Sequence, residues 1–452
     1  MGNEQSTQAT NRVEAWSSQL QSALGTQEVV FENVEHATSP TKRETAGAAT
    51  PSSLLLFGGH GELPEDNELW SLRSAPKAQW ERVETGVAGG LVRTPCARSG
   101  HSAVWADGVG LVVFGGLSHE KGRYLSDAHL LRQDEGRYSW SPISASGVDL
   151  PCARDKHSAV VLQQRAEGEL TSPCMLVFGG FGVMPKEEES EDDSGEEEGE
   201  HKGGEEPSDK GPSVEMGWFD DSYALDCESW RWSKVATSQS ERPSPRAAHG
   251  CCSLPSDGGA QRMVVIGGRT TTGRSNDTWV LEYDGKGNGV WQQPQIAGNP
   301  PCRRSFHSCT AIVTDASHPV VCVFGGLDAS ANHLNDLHLL CVPLWEWVPI
   351  VHSATAPSPR GSALLCRKPS SSSGHSLLLF GGSAGWSDLG ATDFFNDTYE
   401  VSLDGVLDAI DTALTAAEPT PAAGGTESSE GGASGETSSA KRAKREMEVD
   451  EA

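Results

Sequence analysis

Short apolar runs closed by two glycines recur along the chain, at residues 54–59 (LLLFGG), 111–116 (LVVFGG), 176–180 (LVFGG), 264–268 (VVIGG), 321–326 (VCVFGG) and 377–382 (LLLFGG). Each run is too short for an ordinary helix and is bounded by turn formers, so the pattern predicts buried β-strands. A polar-to-apolar segment follows each pair, at residues 67–70, 127–130, 221–225, 276–280, 335–339 and 396–401, and predicts a third strand. A fourth strand then opens on Trp80, Trp140, Trp232, Trp291 or Trp347. Upstream of the diglycines runs an Arg-x-x-His signature, at Arg98 and His101, Arg154 and His157, Arg246 and His249, and Arg304 and His307. Arg360 keeps the arginine, with Ala363 in the histidine position.

A four-stranded sheet this small cannot bury both faces alone and must stack on its neighbours. The ordered recurrence of these features resembles kelch repeats, and over residues 29–403 the chain looks like a member of the kelch-propeller superfamily. The resemblance implies an all-β fold in which each unit is one antiparallel blade around a central axis. Six diglycines but five tryptophan-led strands leave the last blade short of its outer strand. Residues 31–35 (FENVE) match residues 80–84 (WERVE), and Pro40 and Arg43 follow at the places of Pro95 and Arg98. The expectation is a six-bladed kelch β-propeller whose last blade is closed by an N-terminal strand, leaving no open sheet edge.

The diglycines do not continue as GxGxxG into a helix or end in GK[ST], so they read as strand-end turns rather than phosphate loops. The tryptophans read as packing between blades. Arginines and histidines that recur once per blade are explained by one local hydrogen-bonding role repeated around a ring; the alternative, for some arginines, is an anion or peptide-carboxylate pocket whose residues the sequence leaves unassigned. The pairs Asn276/Asp277, Asn335/Asp336 and Asn396/Asp397 read as turn and strand-start residues bonding nearby backbone.

Glycine, at 51 of 452 residues, reflects both the diglycines and low-complexity segments. The formal net charge of −28 argues against direct nucleic-acid binding by the body of the protein. The chain has no apolar run long enough to span a bilayer and no signal-peptide core, so a cytoplasmic protein is expected. Its 11 cysteines include no CxxC pair and read as buried thiols in a reducing compartment.

The charge is uneven. Diglycine intervals of 57, 64, 88, 58 and 56 residues place an insertion, residues 185–212, in the third blade. Between Lys186 and Lys210 it holds 13 acidic residues and three lysines, a composition that predicts disorder, and Ser190 and Ser194 precede acids as candidate phosphorylation sites. Residues 1–28 form an N-terminal lead in which Gly2 and Ser6 fit a myristoylation pattern; one such chain would give reversible membrane association. Val13, Trp16, Leu20 and Leu24 fall on one helical face, to pack against the propeller or to assist the acyl chain. Residues 404–452 form a low-complexity tail with a short helix at 406–417 and a basic cluster, Lys441, Arg442, Lys444 and Arg445, that resembles a signal read by a nuclear importer. A membrane-associated or a nuclear pool is therefore expected beside the cytoplasmic one.

The leading functional expectation is a noncatalytic, monomeric scaffold or adaptor whose propeller loops bind a protein or peptide. With about 28 residues before the first repeat strand, no BTB or F-box domain is expected, and recruitment falls to the propeller or the tails. The alternative is an enzyme with a metal or radical-oxidase-like site in the axial pocket, since kelch-like propellers include copper radical oxidases. Against it, Tyr124, Tyr138, Tyr223, Tyr283 and Tyr399 accompany no His/Tyr/Cys constellation, and GxSxG and HExxH motifs are absent. No catalytic residue, metal ligand or cofactor is assigned.

Overall fold

A computed structural model of the chain describes residue 20 and residues 28–415, apart from 62–65, 74–77, 87–93, 167–168, 186–214, 238–240, 258–259, 353, 370–374 and 388–389. The acidic insertion with Ser190 and Ser194, the lipidation candidate Gly2 and the basic cluster Lys441, Arg442, Lys444 and Arg445 lie outside the described residues.

The apolar diglycine runs form the second strand of repeated antiparallel sheets, between an inner strand and a third strand, and the tryptophan-led segments form the fourth. In the first sheet, Arg43–Ala49, Ser53–Gly61, Leu69–Arg73 and Gln79–Val83 lie side by side, with Leu56 opposite Trp70 and Leu72 opposite Trp80. The same order recurs through Ser158–Ala166, Glu169–Phe178, Ser222–Asp226 and Arg231–Lys234 in the third. In the sixth, Leu364–Arg367, Ser376–Phe380 and Thr398–Ser402 are followed by Phe31–Asn33, with Phe31 opposite Val401 and Asn33 opposite Tyr399. The N-terminal segment thus occupies the place that tryptophan-led strands take in the other sheets.

Both faces of the second strands are buried: Leu54, Leu55, Leu56 and Phe57 are all inaccessible to solvent. That double burial explains continuous apolar runs where a half-exposed strand would alternate. The inner strands touch in sequence order, from Arg43–Ala49 to Ser102–Ala106, Ser158–Ala166, Gly250–Asp257, Ser308–Val313 and Leu364–Arg367, and the last of these contacts the first.

Rings lock one sheet to the next. Trp140 packs on Phe57 at 4.8 Å between centroids, Trp232 on Phe114 at 5.0 Å, Trp291 on Phe178 at 4.9 Å and Trp80 on Phe380 at 4.8 Å. In each pair the tryptophan comes from the sheet that follows, so the tryptophans do fill the space between sheets.

The C-terminal helix begins two residues earlier than its sequence reading and runs over Asp404–Thr415. It belongs to the folded body rather than to the tail, because Val406, Leu407, Ile410, Ala413 and Leu414 form one buried stripe. That stripe packs with Leu20, Phe31 and Val320 in a single cluster. Asp411 fixes the helix to the fifth sheet by accepting hydrogen bonds from Thr314 Oγ1 at 2.5 Å and the Ala316 N–H at 3.0 Å, with His318 Nδ1 2.8 Å away.

Candidate functional site: the axial mouth

The repeat arginines are structural, and each is held by a carboxylate and by backbone carbonyls. Arg154 donates from Nη1 to Gly179 O at 2.9 Å and to Asp221 Oδ1 at 2.6 Å, from Nη2 to Asp221 Oδ2 at 3.1 Å, and from Nε to Cys152 O at 3.0 Å. The pattern repeats with Arg43 and Asp66, Arg98 and Asp127, Arg246 and Asp277, Arg304 and Asp336, and Arg360 and Asp397. All six guanidinium residues are 2% exposed or less and already engaged by a carboxylate, which leaves them no role in an anion pocket.

This corrects the reading of the Asn-Asp pairs. The aspartates are the partners of the arginines rather than local turn residues. The asparagines reach the segment leading into the next sheet: Asn67 donates to Pro95 O, Asn276 to Pro301 O, Asn335 to Pro357 O and Asn396 to Pro40 O. Burial opposes ionisation of Asp127 and Asp336, yet hydrogen bonds from their arginine and histidine neighbours outweigh it and hold both well below the usual carboxylate range.

The histidines also bridge sheets. His157 Nε2 lies 2.9 Å from Ser102 Oγ, His249 Nε2 lies 2.6 Å from Ser158 Oγ, and His307 Nε2 accepts the Gly250 N–H at 3.1 Å. Their role is therefore repeated but not local. Burial, reinforced by the adjacent arginine, pushes His101, His157 and His307 down to about 3.

The variable part of the signature is the residue two places after each arginine, and sequence reasoning passed over it. Gly100, Lys156, Ala248, Phe306 and Ser362 all adopt left-handed backbone, at φ 61°, 49°, 52°, 57° and 53°. For a residue with a Cβ this conformation costs on the order of 1 kcal/mol. A hydrogen-bond chain around the axis holds it in place: Lys156 N–H to Gly100 O at 2.7 Å, Ala248 N–H to Lys156 O at 2.8 Å, Phe306 N–H to Ala248 O at 2.8 Å and Ser362 N–H to Phe306 O at 2.7 Å. The backbone of this rim is fixed while its side chains differ in every sheet. All five residues line an axial cavity of about 370 Å³ that Glu44, His60, His119 and Asp155 also enter.

A second cavity of about 530 Å³ adjoins the first, and Lys156, Ala248 and Phe306 line both. Its walls include Phe181 and Trp218, whose rings meet edge-on at 5.2 Å, together with Arg269 and Arg274. These arginines face each other directly across the hairpin of Ala260–Thr270 and Gly273–Tyr283. Arg274 Nε donates to Ser305 Oγ at 2.8 Å. Burial first, and the charge of Arg269 second, lower the pKa of Arg274. Unlike the repeat arginines, this pair stands out only through its position on either side of a TTTG turn. Among the described residues, no three His, Cys, Asp or Glu side chains are grouped to hold a metal ion.

This arrangement of repeated sheets around an axial mouth defines a β-propeller of the kelch type, a class whose shared property is protein–protein interaction. Residues 44–193 and 203–412 match the KLHDC2/KLHL20/DRC7 Kelch-repeats domain, and the chain belongs to that family. It is 29% identical over 371 residues to Kelch domain-containing protein 2 of Bos taurus, covering 78% of this chain and 79% of the relative. Similarity to the Homo sapiens protein of that name is 29% over 368 residues, with the same coverage. Kelch domain-containing protein 1 of Mus musculus is 30% identical over 241 residues, 52% of this chain and 51% of the relative.

Proposed function

We propose that the chain closes into a six-bladed propeller and binds a protein or peptide segment at the axial mouth, anchoring a carboxylate between Arg269 and Arg274. Closure is supported by the return contact of Leu364–Arg367 on Arg43–Ala49 and by the N–H of Gly382 donating to Arg43 O at 3.0 Å. The observation that carries the binding site is the arginine pair. Like charges directly opposite on paired strands repel, and although the charge of Asp328 acts on Arg274, among the described residues neither arginine has a carboxylate bonded to it as each repeat arginine does. A bound carboxylate would relieve that repulsion through charge-assisted hydrogen bonds, with Ser305 orienting Arg274. Phe181, Trp218 and Phe306 supply apolar surface for the adjoining residues of the ligand.

The test is fluorescence polarisation of the full chain with short peptides prepared both as free acids and as C-terminal amides. Binding that needs the free acid, and that falls by about a hundredfold in Arg269→Ala/Arg274→Ala, is expected for loss of two charge-assisted contacts. Equal binding of acid and amide would sink the carboxylate reading. The site bears on what is bound, while the places where binding occurs are proposed from the termini: cytoplasm, with recruitment to membrane through acylated Gly2 or to the nucleus through residues 441–445.

A further inference from the structure

Asp155 is 1% exposed, and it lines the axial cavity. One of its oxygens, Oδ2, lies 3.0 Å from Lys156 Nζ, whereas Oδ1 has no hydrogen-bond partner. A buried carboxylate oxygen without a donor leaves its desolvation uncompensated, so its persistence at the wall of a cavity needs an explanation. Packing does not provide one. The neighbouring sheet offers Gly100 at this point, and a Cβ there would come within 3.1 Å of the Asp155 Cβ. The space around the carboxylate is therefore kept by a glycine that is already left-handed.

The charges around it do not balance. Glu44 and Asp155 both act on Lys156, and Ser383 Oγ donates to Glu44 Oε1 at 2.5 Å. With one ammonium between two carboxylates, Glu44, Asp155 and Lys156 together carry a net negative charge. Its neighbour beyond Lys156, Ala248 and Phe306 carries Arg269 and Arg274. Two connected cavities of opposite sign suit a ligand bearing charges of opposite sign.

Resting on the carboxylate reading above, we infer that the axial cavity is a second subsite, in which Asp155 Oδ1 accepts a hydrogen bond from a basic side chain of the same peptide. The ligand class is an extended segment with a carboxylate at one end and a lysine or arginine a few residues upstream. The carboxylate seats between Arg269 and Arg274, the chain crosses Phe306 and Ala248, and the ammonium or guanidinium enters beside Lys156 and completes the coordination of Asp155. The net negative pocket attracts it, and the unpartnered oxygen fixes it.

The experiment uses the full chain and a set of free-acid nonapeptides in which lysine or norleucine occupies each upstream position in turn. The wild type should prefer lysine over norleucine by about tenfold at one position, as one charge-assisted hydrogen bond predicts. Asp155→Asn should abolish the preference and leave the norleucine peptides and their dependence on the free acid unchanged. Lys156→Met, which leaves Asp155 in place, should enlarge the preference, so the proposal stays testable if the first variant folds poorly. Free-acid binding with no lysine preference at any position overturns this proposal and leaves the arginine anchor standing. Binding indifferent to amidation overturns the anchor and the proposal together.

Discussion

Trp80 Nε1 donates to Thr398 Oγ1 at 3.1 Å, joining residues 318 positions apart in the chain. Both are fully buried, and the indole also packs on Phe380 at 4.8 Å. One contact thus ties the fourth strand of the first sheet to the second and third strands of the sixth.

If that seam closes the ring, weakening it should be felt by the whole domain. Trp80→Ala removes the ring and leaves Thr398 without its donor, a loss of about 3–5 kcal/mol. Deletion of residues 28–36, which removes Phe31–Asn33 from the edge of the sixth sheet, should likewise lower the melting temperature of the entire molecule. Calorimetry reads both. An unchanged, cooperative transition in the deletion would contradict closure by the N-terminal strand.

The repeat arginines offer a second test, because a half-broken buried pair is worse than none. In Arg154→Met, Asp221 loses the guanidinium that holds both its oxygens and Phe219 loses the cation 4.0 Å over its ring. A loss of about 3–5 kcal/mol is expected. Adding Asp221→Leu should restore part of it, giving a double-mutant cycle with favourable coupling in urea unfolding. Strict additivity of the two losses would show that the pair does not act as a unit.

Much of this was legible in the sequence, for a physical reason. The six diglycine strands are buried on both faces, so their apolar runs are uninterrupted and visible without any alignment. The tryptophans announced the fourth strands because only a large ring fills the space beside Phe57, Phe114, Phe178 and Phe380. What was not legible depends on contacts between sheets. Nothing near Asp221 in the chain shows that Arg154, 67 positions away, is its partner. Left-handed geometry at Lys156 and Phe306 was hidden because glycine, its usual sign, occurs at this position only in Gly100. Arg269 and Arg274 gave no repeating signal, because their pairing belongs to a single hairpin and not to the element shared by every sheet.

The buried histidines give the fold an acid limit. Their pKa values in the folded state are held down, to about 3 for His101, His157 and His307 and well below 6.5 for His249. The unfolded chain takes up protons below 6.5 while the native state does not. Stability is therefore fully present above pH 6.5 and is lost as pH falls toward 3, by up to about 1.4 kcal/mol per pH unit for each histidine. Between pH 6.5 and 4 the histidines dominate, because Asp127, Asp277 and Asp336 lose their contribution only as the unfolded carboxylates protonate near 3.8. Asp155, raised by burial, has the opposite sign and opposes the loss slightly. Urea unfolding from pH 7.5 to 4.5 should show the steep decline, and His157→Gln should flatten it. A flat profile across that range would refute the neutral-histidine account.

Thiol reactivity should divide along the same lines of burial. Burial pushes the Cys227, Cys341 and Cys366 thiols up to about 12, and Cys251 and Cys252 lie well above the usual thiol value. The thiolate is the nucleophile, so at pH 7.5 these groups present almost none of the reactive form, and the folded chain shields all of them but the half-buried Cys251 as well. Cys302 is the exposed cysteine among them all and sits beside Arg304, whose Nη2 lies 3.3 Å from its sulfur. Brief iodoacetamide treatment of the native protein, followed by peptide mass spectrometry, should label Cys302 first and the strand cysteines only after urea. Alkylation of Cys252 or Cys366 at a rate matching Cys302 would mean that the sheets open far more readily than their packing implies.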